Sequence, residues 1–229
     1  MLLKVNGERN SGTSFLHEIL KANFGESISY RDTLKNGHIL HWAHGIPDPD
    51  VKKLDDRVID IFIFRNLDSW LISMFKNPYE LIPFNDFELF LKSAQIPNSP
   101  FRNAKDGSVI SRDDYGKNIF DIRYYKYLNI IKYCQINPDC IFINLETLQN
   151  ESCCDNFINS LKEKYGLIGS SDENVVNIPT QLGTGRKIKD QSEKNRTYFD
   201  LEDYMEIINK HRHQDIERDI NNLSVEIVS

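Results

Sequence analysis

The sequence predicts an α/β fold, a three-layer sandwich with a mainly parallel central sheet, and three observations predict it. Two short runs, Val58-Ile59-Asp60-Ile61-Phe62-Ile63-Phe64 and Cys140-Ile141-Phe142-Ile143-Asn144, are nearly continuous in β-branched and aromatic residues, the pattern of strands covered on both faces. Segments of helical periodicity follow both runs and the apolar start of the chain, and strands alternating with helices imply a parallel sheet. A chain of 229 residues that is 40% hydrophobic can bury one sizeable core, so residues 1–229 read as a single domain.

Met1 to Val5 is apolar enough for a first buried strand. Gly7-Glu8-Arg9-Asn10-Ser11-Gly12-Thr13-Ser14 follows, and Phe15, Leu16, Ile19 and Leu20 then mark one face of a helix over residues 13–23. Residues 27–31 and 38–44 read as short extended pieces between polar turns. After the strand at 58–64, Trp70, Leu71, Met74 and Phe75 give a helix over 68–75, ended by Asn77-Pro78. A second helix is expected over 84–94. Residues 96–116 hold Pro97, Pro100, Gly107 and Gly116 with little periodicity and read as a long loop. Helical spacing returns over 118–135 through Ile119, Ile122, Tyr125 and Tyr133. Tyr124, Tyr125, Tyr127 and Tyr133 read as core or groove-lining aromatics on that helix, and Arg123 as a surface ion-pair partner, with a place facing the pocket as the alternative. The strand at 140–144 leads to a helix over 155–165, closed by Gly166. Residues 168–195 are polar, loop-like and locally basic. Residues 201–221 read as one final helix with a charged outer face, on which His211 and His213 are solvated, whereas His17 packs on the first helix.

The net charge of -6 argues against a general binder of nucleic acid or anionic membranes. No amino-terminal signal peptide is expected, because Lys4, Glu8 and Arg9 interrupt any apolar core. No apolar run approaches the roughly 20 residues that span a bilayer. The four cysteines, Cys134, Cys140, Cys153 and Cys154, lack metal-ligand spacing, and the adjacent pair is an awkward disulfide partner. Reduced thiols, a cytoplasmic location and no metal site are therefore the expectation.

Chemistry concentrates in the first loop. Its two glycines stand five residues apart, as in the nucleotide-binding loop G-x-x-x-x-G-K-[ST], where backbone N–H groups close around phosphate oxygens at a helix N-terminus. The first βα turn is thus P-loop-like, yet Thr13 stands where that loop has its lysine. In a kinase or ATPase the lysine reaches the β- and γ-phosphates and the next hydroxyl holds Mg²⁺, so this loop suits a shorter phosphate chain and no metal. Arg65, at the carboxyl end of the second strand, precedes Ser73 by eight residues, and an arginine fork with a nearby hydroxyl suits a second phosphate. The alternative is that Arg65 caps the sheet edge in an ion pair with Asp68.

Together, the loop G-E-R-N-S-G-T-S and the spacing of Phe64-Arg65-Asn66 to Ser73 resemble the sulfotransferases that use 3′-phosphoadenosine 5′-phosphosulfate (PAPS). Phe142-Ile143-Asn144-Leu145-Glu146-Thr147-Leu148 is similar to that family's late strand and its Y-E-D-L-like turn. Gly183-Thr184-Gly185-Arg186-Lys187-Ile188-Lys189 stands where the family places a basic loop over the 3′-phosphate. The resemblance implies that Arg9, Asn10, Ser11, Gly12, Thr13 and Ser14 hold the 5′-phosphosulfate, and that Arg65, Ser73, Arg186 and Lys187 hold the 3′-phosphate. It further implies PAPS as co-substrate, 3′-phosphoadenosine 5′-phosphate (PAP) as product, no metal, and a small-molecule or carbohydrate acceptor.

Many relatives carry a lysine just before Ser-Gly-Thr, where this chain has Asn10. Arg9, one position earlier, can take over that role, since arginine is always charged and reaches two oxygens at once. His41-Trp42-Ala43-His44-Gly45-Ile46-Pro47 resembles the strand end that carries the family's catalytic base. His44 is the first candidate for it and His41 the second, as histidine titrates near neutrality. Two other readings stay open: a P-loop nucleotide or small-molecule kinase, and a PAP- or PAPS-binding protein without catalysis.

Overall fold

The computed structural model describes residues 2–8, 10–25, 58–77, 83–93, 118–137, 139–169, 178 and 200–225. Within them the fold is mixed α/β. Three parallel strands, β1 (Leu2–Gly7), β2 (Val58–Phe64) and β3 (Cys140–Asn144), form an open sheet in the order β1-β2-β3. Gly7 lies opposite Ile63 and Phe64 opposite Asn144, so the carboxyl ends of all three strands meet at one end of the sheet.

Helix α1 (Thr13–Phe24) follows β1, and α2 (Leu67–Lys76) and α3 (Phe87–Lys92) follow β2. Helix α4 (Ile119–Ile136) precedes β3, and the one-turn α5 (Leu145–Leu148) and α6 (Glu151–Tyr165) follow it. A 3-10 turn (Leu201–Tyr204), α7 (Met205–His211) and α8 (Gln214–Val225) complete the described chain.

Side chains alternate across a strand, so β2 feeds two cores. Ile59, Ile61 and Ile63 pack with Leu16, Ile19 and Leu20 of α1 and with Phe157, Ile158 and Leu161 of α6. Phe62 and Phe64 point the other way, onto Tyr127, Ile130 and Tyr133 of α4 and Ile216 and Ile220 of α8. Burial on both sides explains the almost unbroken apolar sequence of β2. A third cluster joins α2, α3, the start of α4 and α7 through Trp70, Phe90, Phe120 and Ile208.

On the α4 side, β1 departs from this pattern. Lys4 and Asn6 lie there beside Asp60 and Phe62 of β2, and all are buried. Asp60 accepts hydrogen bonds from Asn6 Nδ2 and Tyr133 Oη, each at 2.9 Å, and Lys4 Nζ stands 3.8 Å from it. Most buried polar groups in folded proteins are matched in this way. The strand expected from Met1 to Val5 therefore runs on to Gly7 through polar residues that no hydropathy pattern marks as strand.

Capping asparagines set other boundaries. Asn150 Oδ1 accepts from the Cys153 amide at 3.1 Å, so α6 starts at Glu151 instead of residue 155. Its other end closes at Gly166, with φ 62°, as the sequence predicts. Asn118 and Asn144 cap α4 and α5 likewise.

The single helix expected over 201–221 is broken. Arg212 adopts an extended conformation, and the Glu217 amide bonded to the His213 carbonyl at 3.2 Å begins a new helix. The break lets Ile208 enter one core while Ile216 and Ile220 enter another. It also corrects the expectation of solvated histidines at 211 and 213. His213 Nε2 sits 3.0 Å from Asp121 Oδ1 with its ring stacked on Tyr124 at 4.3 Å, and His211 stacks on Phe120 at 6.1 Å. His17 is buried on α1, as expected. Cys134, Cys140, Cys153 and Cys154 are free thiols, and burial pushes the Cys154 thiol up to about 12. Among the described residues, no helix is long and apolar enough to cross a membrane.

Candidate anion-binding site

The turn from β1 into α1 stands at the shared carboxyl end of the strands, where open parallel sheets bind ligands. Asn10 (φ 62°) and Gly12 (φ 101°) both take left-handed backbone, and the Ser11 amide donates to the Glu8 carbonyl at 3.1 Å. A Cβ on Gly7 would lie 2.5 Å from Ser11 Oγ and 2.6 Å from the Ile63 carbonyl oxygen, and one on Gly12 would lie 2.6 Å from Leu145 Cδ1. The five-residue spacing of glycines is thus demanded by crowding at both positions and by chain direction at the second.

Gly12 caps α1 without a side-chain hydrogen bond, and the first turn of α1 carries no acidic residue. The first amides of a helix have no intrahelical acceptor, and the positive end of its dipole faces the same way. The Ser11 hydroxyl is 0% exposed and has no hydrogen-bond partner among the described residues. Thr13 and Ser14, at the start of the helix, are more accessible. A convergence of unsatisfied donors at a helix N-terminus is chemically suited to an anion.

Arg65 approaches the loop from the end of β2. Its Nη1 donates to the Asn10 carbonyl at 3.4 Å and its Nε to Ser69 Oγ at 3.1 Å. Its carboxylate partner is Glu146 of α5, 3.6 Å from Nε, and Asp68 is not paired with it in the structure. Parallel register explains the difference, since it sets the residues after β3 beside those after β2. Burial lowers the Arg65 pKa and Glu146 counters it, so the guanidinium stays charged. Glu146 also accepts from the Asn66 amide at 3.1 Å and from the Ser69 hydroxyl, and Asn144 Nδ2 donates to Asn66 Oδ1 at 2.7 Å. The ends of β2 and β3 are tied together around Arg65.

Ser73 meets the loop through its backbone. The Asn10 side-chain Nδ2 donates to the Ser73 and Asn77 carbonyls, each at 3.2 Å, so Asn10 closes the last turn of α2. The structure therefore brings Asn10, Ser11, Gly12, Arg65 and Ser73 into one region. Arg9, His41, His44, Arg186 and Lys187 lie outside the described residues, as do the extended pieces at 27–31 and 38–44 and the loop at 96–116.

Arg123 overturns the expectation of a surface ion pair. It is 1% exposed, with its guanidinium carbon 4.8 Å from the ring centroids of both Trp70 and Tyr127. Its Nη1 pairs with Glu8 Oε1, its Nε and Nη2 reach Glu217 at 2.6 and 3.1 Å, and Nη2 also donates to the Arg65 carbonyl at 2.7 Å. Burial alone would lower its pKa, but the carboxylates outweigh burial and the net shift is upward. Tyr127 Oη donates to the same Glu8 oxygen at 3.0 Å. Three residues further along α4, Lys126 is 7% exposed and makes no hydrogen bond or ion pair among the described residues. Burial first, and then the Arg123 charge, lower its pKa to about 8. A signal for both residues exists in the sequence, because Arg123 and Lys126 fall on the helical stripe of Ile119, Ile130 and Tyr133.

Compared with protein-family models, curated proteins and solved structures, the chain gives no match.

Proposed function

We propose that the chain is a sulfotransferase that moves the sulfuryl group of PAPS to a hydroxyl or amine of a small-molecule or carbohydrate acceptor. In this reading it is a three-layer P-loop sandwich whose first βα turn takes the 5′-phosphosulfate. One observation carries the reading: a buried, unpartnered Ser11 hydroxyl at an uncapped helix N-terminus, beside Arg65, in a loop without lysine.

The roles divide as follows. Backbone amides of residues 10–14, the hydroxyls of Ser11, Thr13 and Ser14, and Arg9 offset charge on the bridging and equatorial oxygens. Arg65 and Ser73, joined by Arg186 and Lys187, hold the 3′-phosphate. The acceptor oxygen or nitrogen attacks sulfur, the bond from sulfur to the phosphate oxygen breaks in line, and PAP leaves with that oxygen. His44, or else His41, takes the acceptor's proton. No metal enters the scheme, and the free thiols accord with a cytoplasmic setting. Engagement of the Asn10 amide by α2 keeps that side chain away from a sulfuryl oxygen, and this favours, as a second reading, a PAP-binding protein without catalysis.

A thermal-shift titration tests the proposal, with PAP in one arm and ATP plus Mg²⁺ in the other. At a hundredfold excess over Kd, a ligand specific to the folded state adds about 2.7 kcal/mol, a rise of several degrees in Tm. The expected result is a shift with PAP alone, lost in Arg65→Ala. A shift only with ATP and Mg²⁺ would point to a kinase, and silence in both arms would overturn the adenosine-phosphate reading. In a turnover assay, His44→Ala is expected to keep PAP binding and lose sulfuryl transfer; retained transfer would remove His44 as the base.

A further inference from the structure

We propose that Arg123 is a positioning residue for the anion loop, fixing Glu8, the Arg65 backbone and Glu217 of α8 relative to one another through a single guanidinium. The proposal rests on the loop being the ligand site. The fork uses Nε, Nη1 and Nη2 to reach three partners: Nε and Nη2 bond Glu217, Nη1 pairs with Glu8, and Nη2 also donates to the Arg65 carbonyl. The Trp70 and Tyr127 rings pack against the guanidinium, each centroid 4.8 Å from its carbon, and restrict the plane of the group.

The connection to the anion site is short. Glu8 carries the carbonyl that accepts the Ser11 amide, and Ser11 Oγ fills the space over Gly7. Displacing Glu8 therefore displaces Ser11. The Nη2 bond acts in parallel on the backbone of Arg65, whose side chain meets the loop at Asn10. Both proposed anion-contacting groups thus take their positions from one residue on a helix that neither belongs to.

Stability does not account for such an arrangement. Buried ion pairs are commonly replaced by apolar residues of similar volume without loss, whereas removing one partner leaves an uncompensated charge. What the fork supplies is direction: three anchors, from the loop, the end of β2 and α8, set at fixed separations.

The test compares wild type with Glu8→Gln/Arg123→Met and with Arg123→Lys. It reads amide hydrogen exchange across residues 10–16, exchange in β2, and Kd for PAP. The double variant removes the fully buried pair and leaves only Glu217, whose side chain is 18% exposed, without this partner, so exchange in β2 is expected to stay at the wild-type rate. Exchange across 10–16 is expected to rise at least tenfold, and Kd for PAP to rise at least tenfold. Unchanged exchange across 10–16 with β2 intact would overturn the proposal. Failure of the wild type to bind PAP would instead sink the functional reading, and loop exchange would still decide the role of Arg123. Should the double variant not fold, Arg123→Lys decides by the same readout, since it keeps the charge but loses the fork: faster loop exchange supports the proposal and wild-type exchange overturns it.

Discussion

Gly7→Ala is expected to destabilise the protein by about 3 kcal/mol or more, the upper end of what a single overpacked methyl costs. The added Cβ would meet the Ile63 carbonyl oxygen at 2.6 Å, in the strand paired with β1, and Ser11 Oγ at 2.5 Å. A flexible side chain can turn away, but a carbonyl in a ladder moves only with its strand. Relief must come from the loop, which then carries Ser11 out of its buried position. If the loop is the proposed PAP site, the substitution should therefore remove PAP binding as well as stability. Urea denaturation and a PAP titration at low temperature, where the variant stays folded, measure the two effects separately. Stability within about 1 kcal/mol of wild type would show that the loop has room the geometry denies.

Lys126→Met is expected to act in the opposite direction, raising stability at pH 7 by about 3 kcal/mol. Its folded pKa of about 8 lies below the ordinary 10.5, so the unfolded chain binds the proton more tightly. Each pKa unit is worth about 1.4 kcal/mol, and the cost of burying the charge is fully present below pH 8. Between about pH 8 and 10.5 the folded state has released the proton while the unfolded state still holds it, so wild-type stability rises across that window. Methionine fills similar volume without the charge and shows no such rise. Comparing urea midpoints of the two proteins at pH 7 and pH 10 cancels the other titrating groups. The gap between them should narrow as pH rises, and a constant gap would mean that Lys126 is solvated.

These two residues also show how much the sequence discloses. Strands β2 and β3 are legible residue for residue because burial on both faces leaves a continuous apolar run. Helix α1 is legible because Phe15, Leu16, Ile19 and Leu20 make one stripe. Strand β1 is only half legible: Lys4 and Asn6 are buried by matching with Asp60, a residue 56 and 54 positions away, and local hydropathy carries no trace of the match. The same holds for Arg123, whose partner Glu8 is 115 residues distant. Its spacing puts it on the stripe of Ile119, Ile130 and Tyr133, yet charge alone favours solvent, and only the distant carboxylate reverses that preference. At the site, glycine spacing located the loop, and strand-end position located Arg65. The partner of Arg65 could not be read locally, because Glu146 becomes its neighbour only once β3 lies beside β2. The break after His211 was missed for a related reason: one amphipathic stripe does not show that its two halves enter different cores.

The Asn10 side chain has a bearing on which substitutions this loop can accept. A lysine at this position would bring a positive charge to the loop, and Asn10→Lys looks like one simple step. Here, however, the residue sits at φ 62°, where asparagine is at ease and a long unbranched side chain is less so, and its amide terminates α2 by bonding two carbonyls. A lysine would lose the backbone preference and leave the end of α2 unsealed before it supplied any charge. Position 10 and residues 73–77 are thus one unit of structure: a charge placed at position 10 comes at the expense of the contact that holds the loop to the end of α2.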